Sequence, residues 1–439
     1  MNFHRLLLQS LLWRGLFFLT FFIISILLPR SLQAAGAGWI YYLTNWFSLI
    51  LLVASLNLES AVGYYAANQK INGNKLAWLS FTWTIVVGII VFACIKLYFG
   101  EIQNEEPITQ NQYLFFAVSY ITGVLLMNFF TALFYAKRNF FLPNLLLSLT
   151  NIAFIIAILL GEMVGITNAD ILHFYFWYSF TQGFILMIAY LIKYRSFGSL
   201  SFPSMPENKM LMRYALLALI ANFVYFLVYR ADYWFVRHSP VSSKDGYDLG
   251  NYIQVSKHGQ MLLILPQIIA SAVFPQTASE IDRQSVRNTV ALLSRGFVIV
   301  YIVIIAIIAV IGEWLFPFVY GETFDRMYWP TLLILPGIWA LSVMVLLAAY
   351  YSGKGNVKMN IYGGLLSVVI VLAGNYLFTF RYGMIAAAFI STIAYFSYLF
   401  FLLYKFRSEY NVGLVDFFVP KRSDWHLLIQ QFRKIKLSR

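Results

Sequence analysis

The segment Gly250-Asn-Tyr-Ile-Gln-Val-Ser-Lys-His-Gly-Gln260 opens an apolar run that ends at Phe274-Pro275 and holds a lysine, Lys257, well inside it. A lysine at the centre of a membrane helix costs roughly 2.5–3.5 kcal/mol on insertion scales, so we expect it to face protein or water. With Ile264 filling one gap, steps of three and four residues place further polar side chains on the same helical face: Gln254, Gln260, Gln267 and Ser271. A polar stripe with one cation predicts the wall of an aqueous cavity.

The whole chain has the composition of a membrane protein. Its 439 residues are 61% hydrophobic and 11% charged, with a mean hydropathy of +0.73, which excludes a soluble globular protein of this length. Apolar runs of about 20 residues, the length that the hydrocarbon core requires of a helix, recur throughout. They predict an all-α, polytopic membrane protein with about twelve spans, at 11–28, 38–58, 77–99, 113–135, 141–160, 171–192, 214–236, 251–275, 292–318, 329–351, 359–380 and 384–406.

The placement of positive charge predicts the orientation of these spans. The net charge is +13, and 23 of the 31 Lys and Arg residues lie in the loops and termini on one side of the predicted spans, against 7 on the other. Because cytoplasmic loops carry an excess of Lys and Arg, both termini are predicted to be cytoplasmic. This uneven distribution argues for a multi-pass protein surrounded by membrane lipids and against nucleic acid as a partner.

A repeated polar pattern divides the chain into two halves. Span 2 and the residue after it carry four polar side chains, Asn45, Ser48, Ser55 and Glu59, and adding 212 to each number reaches a polar residue of span 8. Internal repeats of this kind are typical of transporters. The predicted organisation is a six-helix lobe at 1–195, a cytoplasmic linker at 196–213, a six-helix lobe at 214–406 and a basic amphipathic cytoplasmic tail at 407–439.

Motifs of common enzymes and cofactor sites are missing from the sequence. It has no GxxxxGK(S/T), HExxH or GxSxG motif. The five histidines are scattered without metal-ligand spacing, and the single cysteine, Cys94, excludes an intramolecular disulfide and a CxxC motif. The sequence therefore predicts no catalytic residue, no metal site and no cofactor.

Several short motifs carry a resemblance to a known family. In chain order they are Leu28-Pro-Arg-Ser-Leu followed by Ala37-Gly-Trp, Arg230-Ala-Asp-Tyr-Trp, Leu249-Gly-Asn-Tyr with Phe274-Pro-Gln, Tyr320-Gly-Glu-Thr-Phe, Gly353-Lys-Gly-Asn and Tyr382-Gly-Met-Ile-Ala-Ala-Ala. This order resembles the polysaccharide or O-antigen flippases (Wzx type) of the multidrug/oligosaccharidyl-lipid/polysaccharide (MOP) exporter superfamily.

The resemblance implies two lobes in a V around a central cavity lined by spans 1, 2, 7 and 8. It also implies a flippase that moves an undecaprenyl-pyrophosphate-linked oligosaccharide, a precursor of O-antigen lipopolysaccharide, capsule or exopolysaccharide, across the bacterial inner membrane by alternating access. Proteins of polysaccharide polymerisation and assembly would be its partners. Cations of such a cavity would hold the pyrophosphate, and the candidates in this sequence are Lys257, Arg14, Arg30 and Arg230.

Polar and acidic residues of the same spans complete the predicted site. The residues predicted to line the cavity are Asn45, Ser48, Ser55, Gln254, Gln260 and Gln267. An intramembrane acid is a functional hypothesis by default. We therefore predict that Glu59 or Asp232 couples transport to a proton or sodium gradient.

The charged residues also have structural alternatives. In the structural alternative, Lys257 donates hydrogen bonds to backbone carbonyls freed by Pro266, or pairs with an acid across the bundle. In the structural alternative for Arg14, its side chain extends (snorkels) to the lipid headgroups. Asp232 suits an ion pair with Arg230.

Two other functions stay open at this point. A multidrug cation antiporter of the same superfamily would use acids in the cavity, and Glu59 and Asp232 are the candidates. An O-antigen polymerase or ligase is the enzyme alternative, with Asp232, Asp245 and Asp248 as its acids.

Overall fold

The protein is all-α, as predicted. The structure, a computed structural model, describes residues 3–102, 109–165, 167–195, 201–278, 283–356, 358–410 and 415–419, and every regular element within these ranges is a helix. The chain forms two compact units, Met1–Phe223 and Val224–Arg439. The apolar face of the predicted tail, from Trp425 to Phe432, lies outside the described residues.

The first unit is built from long helices that cross closely. They are α1 (Phe3–Ala54), α2 (Leu58–Ala67), α3 (Gly73–Ile102), α4 (Gln110–Ala136), α5 (Phe141–Val164), α6 (Asn168–Lys193) and most of α7 (Met205–Arg230). Glycines bring α4 and α6 together, because a Cβ on Gly183 would lie 2.1 Å from the backbone oxygen of Gly123. Small residues allow membrane helices to approach in this way. Helix α7 begins inside the predicted linker.

The second unit follows the same all-helical plan. Its helices are the end of α7, α8 (Asp232–Arg237), α9 (Tyr247–Leu262), α10 (Ile264–Ala278), α11 (Arg283–Tyr320), α12 (Tyr328–Gly353), α13 (Lys358–Gly374), α14 (Phe380–Tyr410) and α15 (Val415–Phe418). A 3-10 turn, Glu322–Phe324, precedes α12, and a π-helical turn, Asn375–Thr379, joins α13 to α14. Helix α12 is the best-covered long helix of this unit, with Ile334, Ala340 and Leu347 fully enclosed.

Nine helical stretches of the described residues are long and apolar enough to cross a membrane, which makes the protein a multi-pass membrane protein. Two of them are long enough to cross twice and are interrupted. The stretch Leu12–Ala54 contains Gln33, whose φ is 60°. The stretch Lys358–Glu409 contains the π-helical turn and Gly383, whose φ is also 60°. The count of twelve spans stays a prediction.

Predicted span 2 is broken where the sequence suggested one continuous helix. Helix α1 ends at Ala54 and α2 begins at Leu58, and the residues between them include Asn57 with a φ of 54°. The Ser55 hydroxyl accepts a hydrogen bond from the Asn57 backbone N–H at 3.0 Å. Ser and Asn side chains compete in this way with helical hydrogen bonds. Glu59 therefore lies in the first turn of α2, in a different helix from Asn45.

Predicted span 8 is also two helices. Helix α9 ends at Leu262 and α10 begins at Ile264. Pro266 explains the interruption, because a proline lacks the backbone N–H and its ring clashes with the carbonyl four residues earlier, here that of Leu262. The predicted polar stripe is therefore divided, with Gln254, Lys257 and Gln260 on α9 and Gln267 on α10.

Polar residues inside the first unit join helices to one another. The Asn151 amide on α5 donates to the Thr20 hydroxyl on α1 at 2.8 Å. Its carbonyl oxygen accepts hydrogen bonds from Tyr178 at 2.5 Å and Gln182 at 2.8 Å, both on α6. Asn151 is fully buried. These contacts give α5 a polar link to both of its neighbours inside an otherwise apolar unit.

Candidate functional site

A buried carboxylate, Asp232, is the centre of a polar cluster in the second unit. Asp232 opens α8 directly after Ala231, and only 1% of it is exposed. The Tyr252 hydroxyl of α9 donates a short hydrogen bond to its Oδ2, and the Ser391 hydroxyl of α14 donates to the same atom at 3.1 Å. The backbone N–H of Tyr233 donates to Oδ1 at 3.0 Å. The carboxylate is thus held by three different helices through hydroxyl and amide donors.

Two cations of the second unit interact with each other. Lys257 lies on α9 and is half-buried, and Arg230 is the last residue of α7. Arg230 lies within electrostatic range of Lys257. The Arg230 guanidinium also lies 5.9 Å from the centroid of the Phe226 ring. Two like charges near each other on membrane helices favour an anion as their ligand.

The predicted polar stripe is enclosed along α9 and becomes exposed on α10. Gln254 is fully buried, Gln260 is half-buried, and the Tyr233 hydroxyl donates to the Ser256 hydroxyl at 2.9 Å. Gln267 is exposed on α10. The side chain of Ser271, the last member of the predicted stripe, lies outside the described part of the chain.

A histidine that the sequence did not single out also belongs to this region. The ring Nδ1 of His258 lies 2.6 Å from the backbone oxygen of Gln254, and its Nε2 makes a short hydrogen bond with the Tyr320 hydroxyl at the end of α11. This bond joins α9 to α11. His258 follows Lys257 directly, which is the one signal in the sequence that could have found it. Its partner Tyr320 lies 62 residues away, so no local pattern predicts the bond.

The first unit holds a separate polar feature around Glu59. A cavity of about 610 Å³ lies between α1, α2, α4, α5 and α7. Its lining residues are Phe17, Glu59, Ser60, Gly63, Tyr64, Met127, Asn128, Thr131, Ala132, Tyr135, Asn144, Leu147 and Tyr214. Among the described residues, the buried Oε2 of Glu59 has no hydrogen-bond partner. The sequence pointed to Glu59 but not to the aromatic residues that surround it.

The predicted cations of the first unit differ in their surroundings. The Arg14 guanidinium on α1 lies 4.5 Å from the centroid of the Tyr135 ring and 5.8 Å from that of Phe140, a cation–π geometry. Because Tyr135 lines the cavity, Arg14 lies next to one of its walls. Arg30, further along α1, is exposed.

Three residues predicted to line the cavity are largely enclosed: Asn45 and Ser48 on α1, and Ser55 at the break between α1 and α2. Asn45 is fully buried, and neither polar atom of its amide has a hydrogen-bond partner within the described ranges. The Ser48 hydroxyl donates to the Thr44 carbonyl at 2.7 Å and lies 3.2 Å from the Tyr120 hydroxyl of α4. Ser55 is fully buried, and its backbone oxygen accepts from the Trp83 indole at 3.1 Å.

Of the acids proposed for an enzyme, Asp248 has a structural role. One oxygen accepts from the Arg326 guanidinium at 2.9 Å, and the other accepts from the backbone N–H of Ser243 at 2.8 Å and from its hydroxyl at 3.0 Å. The bond to Asp248 raises the pKa of Arg326 above its usual value. Within the described residues, no group of three or more His, Cys, Asp or Glu side chains is placed to hold a metal ion.

Comparison with solved structures defines the fold class as that of multi-helical membrane transporters. Residues of this chain superimpose on a lipid II flippase MurJ in an inward closed conformation, with a TM-score of 0.63, 14% identity and coverage of 92% of this chain and 89% of that chain. An inward-facing multidrug resistance MATE family transporter matches with a TM-score of 0.63, 15% identity and coverage of 93% and 95%.

A third neighbour is a MOP superfamily transporter from Pyrococcus furiosus, described as having a binding pocket of reversed polarity. It matches with a TM-score of 0.61, 12% identity and coverage of 92% of this chain and 95% of that chain. The chain therefore has the fold of the MOP superfamily transporters. No model of a protein family and no curated protein sequence matches the chain.

Proposed function

We propose that this protein is a flippase of the Wzx type that moves an undecaprenyl-pyrophosphate-linked oligosaccharide across the bacterial inner membrane by alternating access. The oligosaccharide is the repeat unit of an O-antigen, capsule or exopolysaccharide, and polymerisation and assembly proteins receive it. Both termini lie in the cytoplasm. Support for a transporter comes from the fold, which is shared with a lipid II flippase and with MATE transporters.

The observation that carries the proposal is the placement of two cations in the second unit, Lys257 on α9 and Arg230 at the end of α7. An anion bound near two cations is attracted by both of them. A pyrophosphate is a dense anion that cannot enter hydrocarbon unaided. Charge-assisted hydrogen bonds from Lys and Arg substitute for its hydration.

Arg14 and Arg30 of the first unit are proposed to contact the same headgroup at other stages of transport. Arg14 is oriented by the Tyr135 ring, which limits the loss of side-chain entropy when it binds an anion. The polar side chains proposed to line the pathway are Asn45, Ser48, Ser55, Gln254, Gln260 and Gln267.

Ion coupling is proposed to use Asp232, with Glu59 as the second candidate. The carboxylate of Asp232 is surrounded by the oxygen atoms of Tyr252 and Ser391. Carboxylate and hydroxyl oxygens are suitable for a proton and for hard cations such as sodium. Protonation or cation binding would remove a buried negative charge and change the preferred packing of α8, α9 and α14.

The test replaces Lys257 in a host that lacks its own flippase. We expect Lys257→Arg to keep surface polysaccharide near the wild-type amount, and Lys257→Gln and Lys257→Glu to abolish it at equal amounts of membrane protein. The exposed Lys358, replaced by Gln, is the matched control and is expected to have no effect. Normal polysaccharide from Lys257→Glu would end this assignment, because a structural lysine is replaceable and a phosphate ligand is not.

A multidrug cation antiporter is the second candidate, and the carboxylate of Glu59 beside an aromatic cavity favours it. Such a site suits an organic cation through charge and cation–π attraction. Ethidium efflux from cells that express the protein distinguishes the two functions. Efflux that depends on Glu59, without any gain of surface polysaccharide, would replace the flippase proposal.

A further inference from the structure

The cavity of the first unit has a wall of paired tyrosine rings. Tyr64 of α2 and Tyr214 of α7 stack with their ring centroids 4.7 Å apart and their planes at 15°. Tyr65 packs edge-on against Tyr214 at 6.0 Å, and its hydroxyl donates to the Met210 backbone oxygen at 3.3 Å. A third tyrosine, Tyr65, therefore supports the stacked pair. Tyr135 lines the same cavity, beside Arg14.

Two polar atoms of the lining lack partners, while others are satisfied. The Glu59 Oε2 and the Thr131 Oγ1 are buried, and neither has a hydrogen-bond partner in the described part of the chain. Asn144, by contrast, accepts from the Tyr135 hydroxyl at 3.0 Å and donates to the Phe140 carbonyl at 2.6 Å. Leaving a buried polar group without a partner costs free energy. A ligand whose hydroxyl groups bond to these two atoms would remove that cost and gain binding free energy there.

Glu59 is fixed by the break between α1 and α2. Asn57, which precedes α2, accepts hydrogen bonds on its Oδ1 from the Asn222 amide of α7 at 3.1 Å and from the Ser60 hydroxyl at 3.2 Å. These bonds tie the first turn of α2, which carries Glu59, to α7, which carries Tyr214. The carboxylate and the tyrosine stack are thereby held in one arrangement before any ligand binds, which reduces the entropy cost of binding.

The charge of the lining distinguishes this cavity from the Lys257 and Arg230 site of the second unit. Among the described residues that line it, none is Lys or Arg, and the one ionisable acid is Glu59. A carboxylate repels a pyrophosphate but accepts hydrogen bonds from sugar hydroxyls. The faces of tyrosine rings carry partial negative charge and attract the weakly positive C–H groups of a sugar ring.

We propose that this cavity binds a sugar ring of the lipid-linked oligosaccharide, against the Tyr64–Tyr214 stack and with hydroxyl groups bonded to Glu59 and Thr131. This inference rests on the proposed function and assigns the saccharide part of the substrate to the first unit. Its volume of about 610 Å³ lies in the range of small-molecule sites and is large enough for a sugar ring. The cavity then selects substrates by their sugars, whereas the cations hold the pyrophosphate that all of them share.

The first experiment measures selectivity. Wild type and variants are expressed in flippase-null hosts that make repeat units of different sugar composition, and surface polysaccharide is normalised to membrane protein. We expect Tyr214→Ala and Thr131→Val to change the ratio of export between two hosts by about three- to tenfold, the effect of losing one stacking or hydrogen-bond contact. Tyr214→Phe keeps the ring and is expected to preserve the ratio.

Tyr404→Ala, at an exposed position of α14, is the matched control and is expected to leave export unchanged in every host. Cavity variants that lower export equally in all hosts, or not at all, would contradict the inference. An altered ratio for Tyr404→Ala would do the same, because the effect would then be independent of the cavity.

The second experiment measures occupancy directly. The only cysteine, Cys94, is replaced by Ser, and Thr131→Cys is introduced. Alkylation by N-ethylmaleimide is followed in membranes from a host that makes the lipid-linked repeat unit and from the same host without its first glycosyltransferase. We expect several-fold slower alkylation where the repeat unit is present. Equal rates in the two membranes, or protection by tetraphenylphosphonium in both, would overturn the sugar assignment.

The two proposals fail in different ways. If the wild-type protein restores polysaccharide in no host, the flippase function is wrong, and the sugar assignment falls with it. If the wild type exports but the cavity variants leave selectivity and alkylation unchanged, only the sugar assignment is wrong.

Discussion

The hydroxyl of Tyr252 donates a short hydrogen bond to the carboxylate of Asp232, and this bond joins α9 to the first turn of α8. Both residues are buried, Tyr252 completely. Ser391 of α14 donates to the same oxygen, so one carboxylate connects three helices. The donors are neutral, which leaves the negative charge of Asp232 available to a proton or a cation.

Removing one of these donors should destabilise the second unit. In Tyr252→Phe the buried carboxylate loses a partner, and we expect a loss of about 1–3 kcal/mol in the free energy of unfolding. The midpoint of thermal unfolding in detergent measures it. The effect should shrink in an Asp232→Asn background, since the amide is neutral. Tyr404→Phe, at an exposed position of α14, is the control, and an equal loss there would show that the Asp232 bond is not the cause.

The ion pair between Arg326 and Asp248 should be worth more than a surface pair. The Asp248 side chain is 6% exposed, and its partner is 53% exposed. In Arg326→Met a nearly buried carboxylate loses its cation, and we expect a destabilisation of about 1–3 kcal/mol. The carboxylate of the Lys354–Glu409 pair is 28% exposed, so Lys354→Met leaves it in contact with water and should cost about 0–1 kcal/mol. Thermal unfolding of both variants compares them, and equal losses would contradict the argument.

The glycine contact between α4 and α6 predicts an effect on assembly. A Cβ on Gly183 would meet the backbone oxygen of Gly123 at 2.1 Å, and backbone cannot move aside as a side chain can. We expect Gly183→Ala to reduce the amount of folded protein in the membrane severely. Gly15→Ala on α1 is the matched control, because no atom lies within 4 Å of the added carbon. Normal yield and thermal stability for Gly183→Ala would show that α4 and α6 separate easily.

Much of the helical architecture was predictable because it depends on local composition. Apolar runs of bilayer length predicted membrane helices. The interruption of span 8 was not predicted, although Pro266 accounts for it. The break before Glu59 was missed, because the contacts made at it, from Trp83 to the Ser55 carbonyl and from Asn222 to the Asn57 side chain, come from distant parts of the chain.

The partners of the predicted charged residues were beyond the sequence for the same reason. Asp232 was identified as a candidate, but Ser391 lies 159 residues away and follows no periodic pattern relative to it. An ion pair with Arg230 was the structural alternative, and the described contacts of the Asp232 carboxylate are hydroxyl and backbone donors instead. The cavity around Glu59 combines five helices, so no local pattern places its tyrosines together.

The orientation of the protein in the membrane can be tested at two positions that the structure describes. In a Cys94→Ser background, Ser204→Cys should react with a membrane-impermeant maleimide only after the cells are opened, because the excess of Lys and Arg predicts a cytoplasmic location. Lys244→Cys, in the loop before α9, should react in intact cells. Labelling of Ser204→Cys from outside would reverse the predicted topology.

Ion coupling gives a prediction that separates the two candidate acids. Asp232→Asn keeps an oxygen that accepts from Tyr252 but carries no charge, so we expect the fold to persist and export to lose its dependence on the ion gradient. Glu59→Gln should keep that dependence and change selectivity instead, if its carboxylate bonds a sugar. Export of newly made polysaccharide, measured with and without a protonophore or a sodium ionophore, gives the result. A gradient dependence that survives in Asp232→Asn and disappears in Glu59→Gln would move the coupling site to the first unit and remove Glu59 from the sugar-binding cavity.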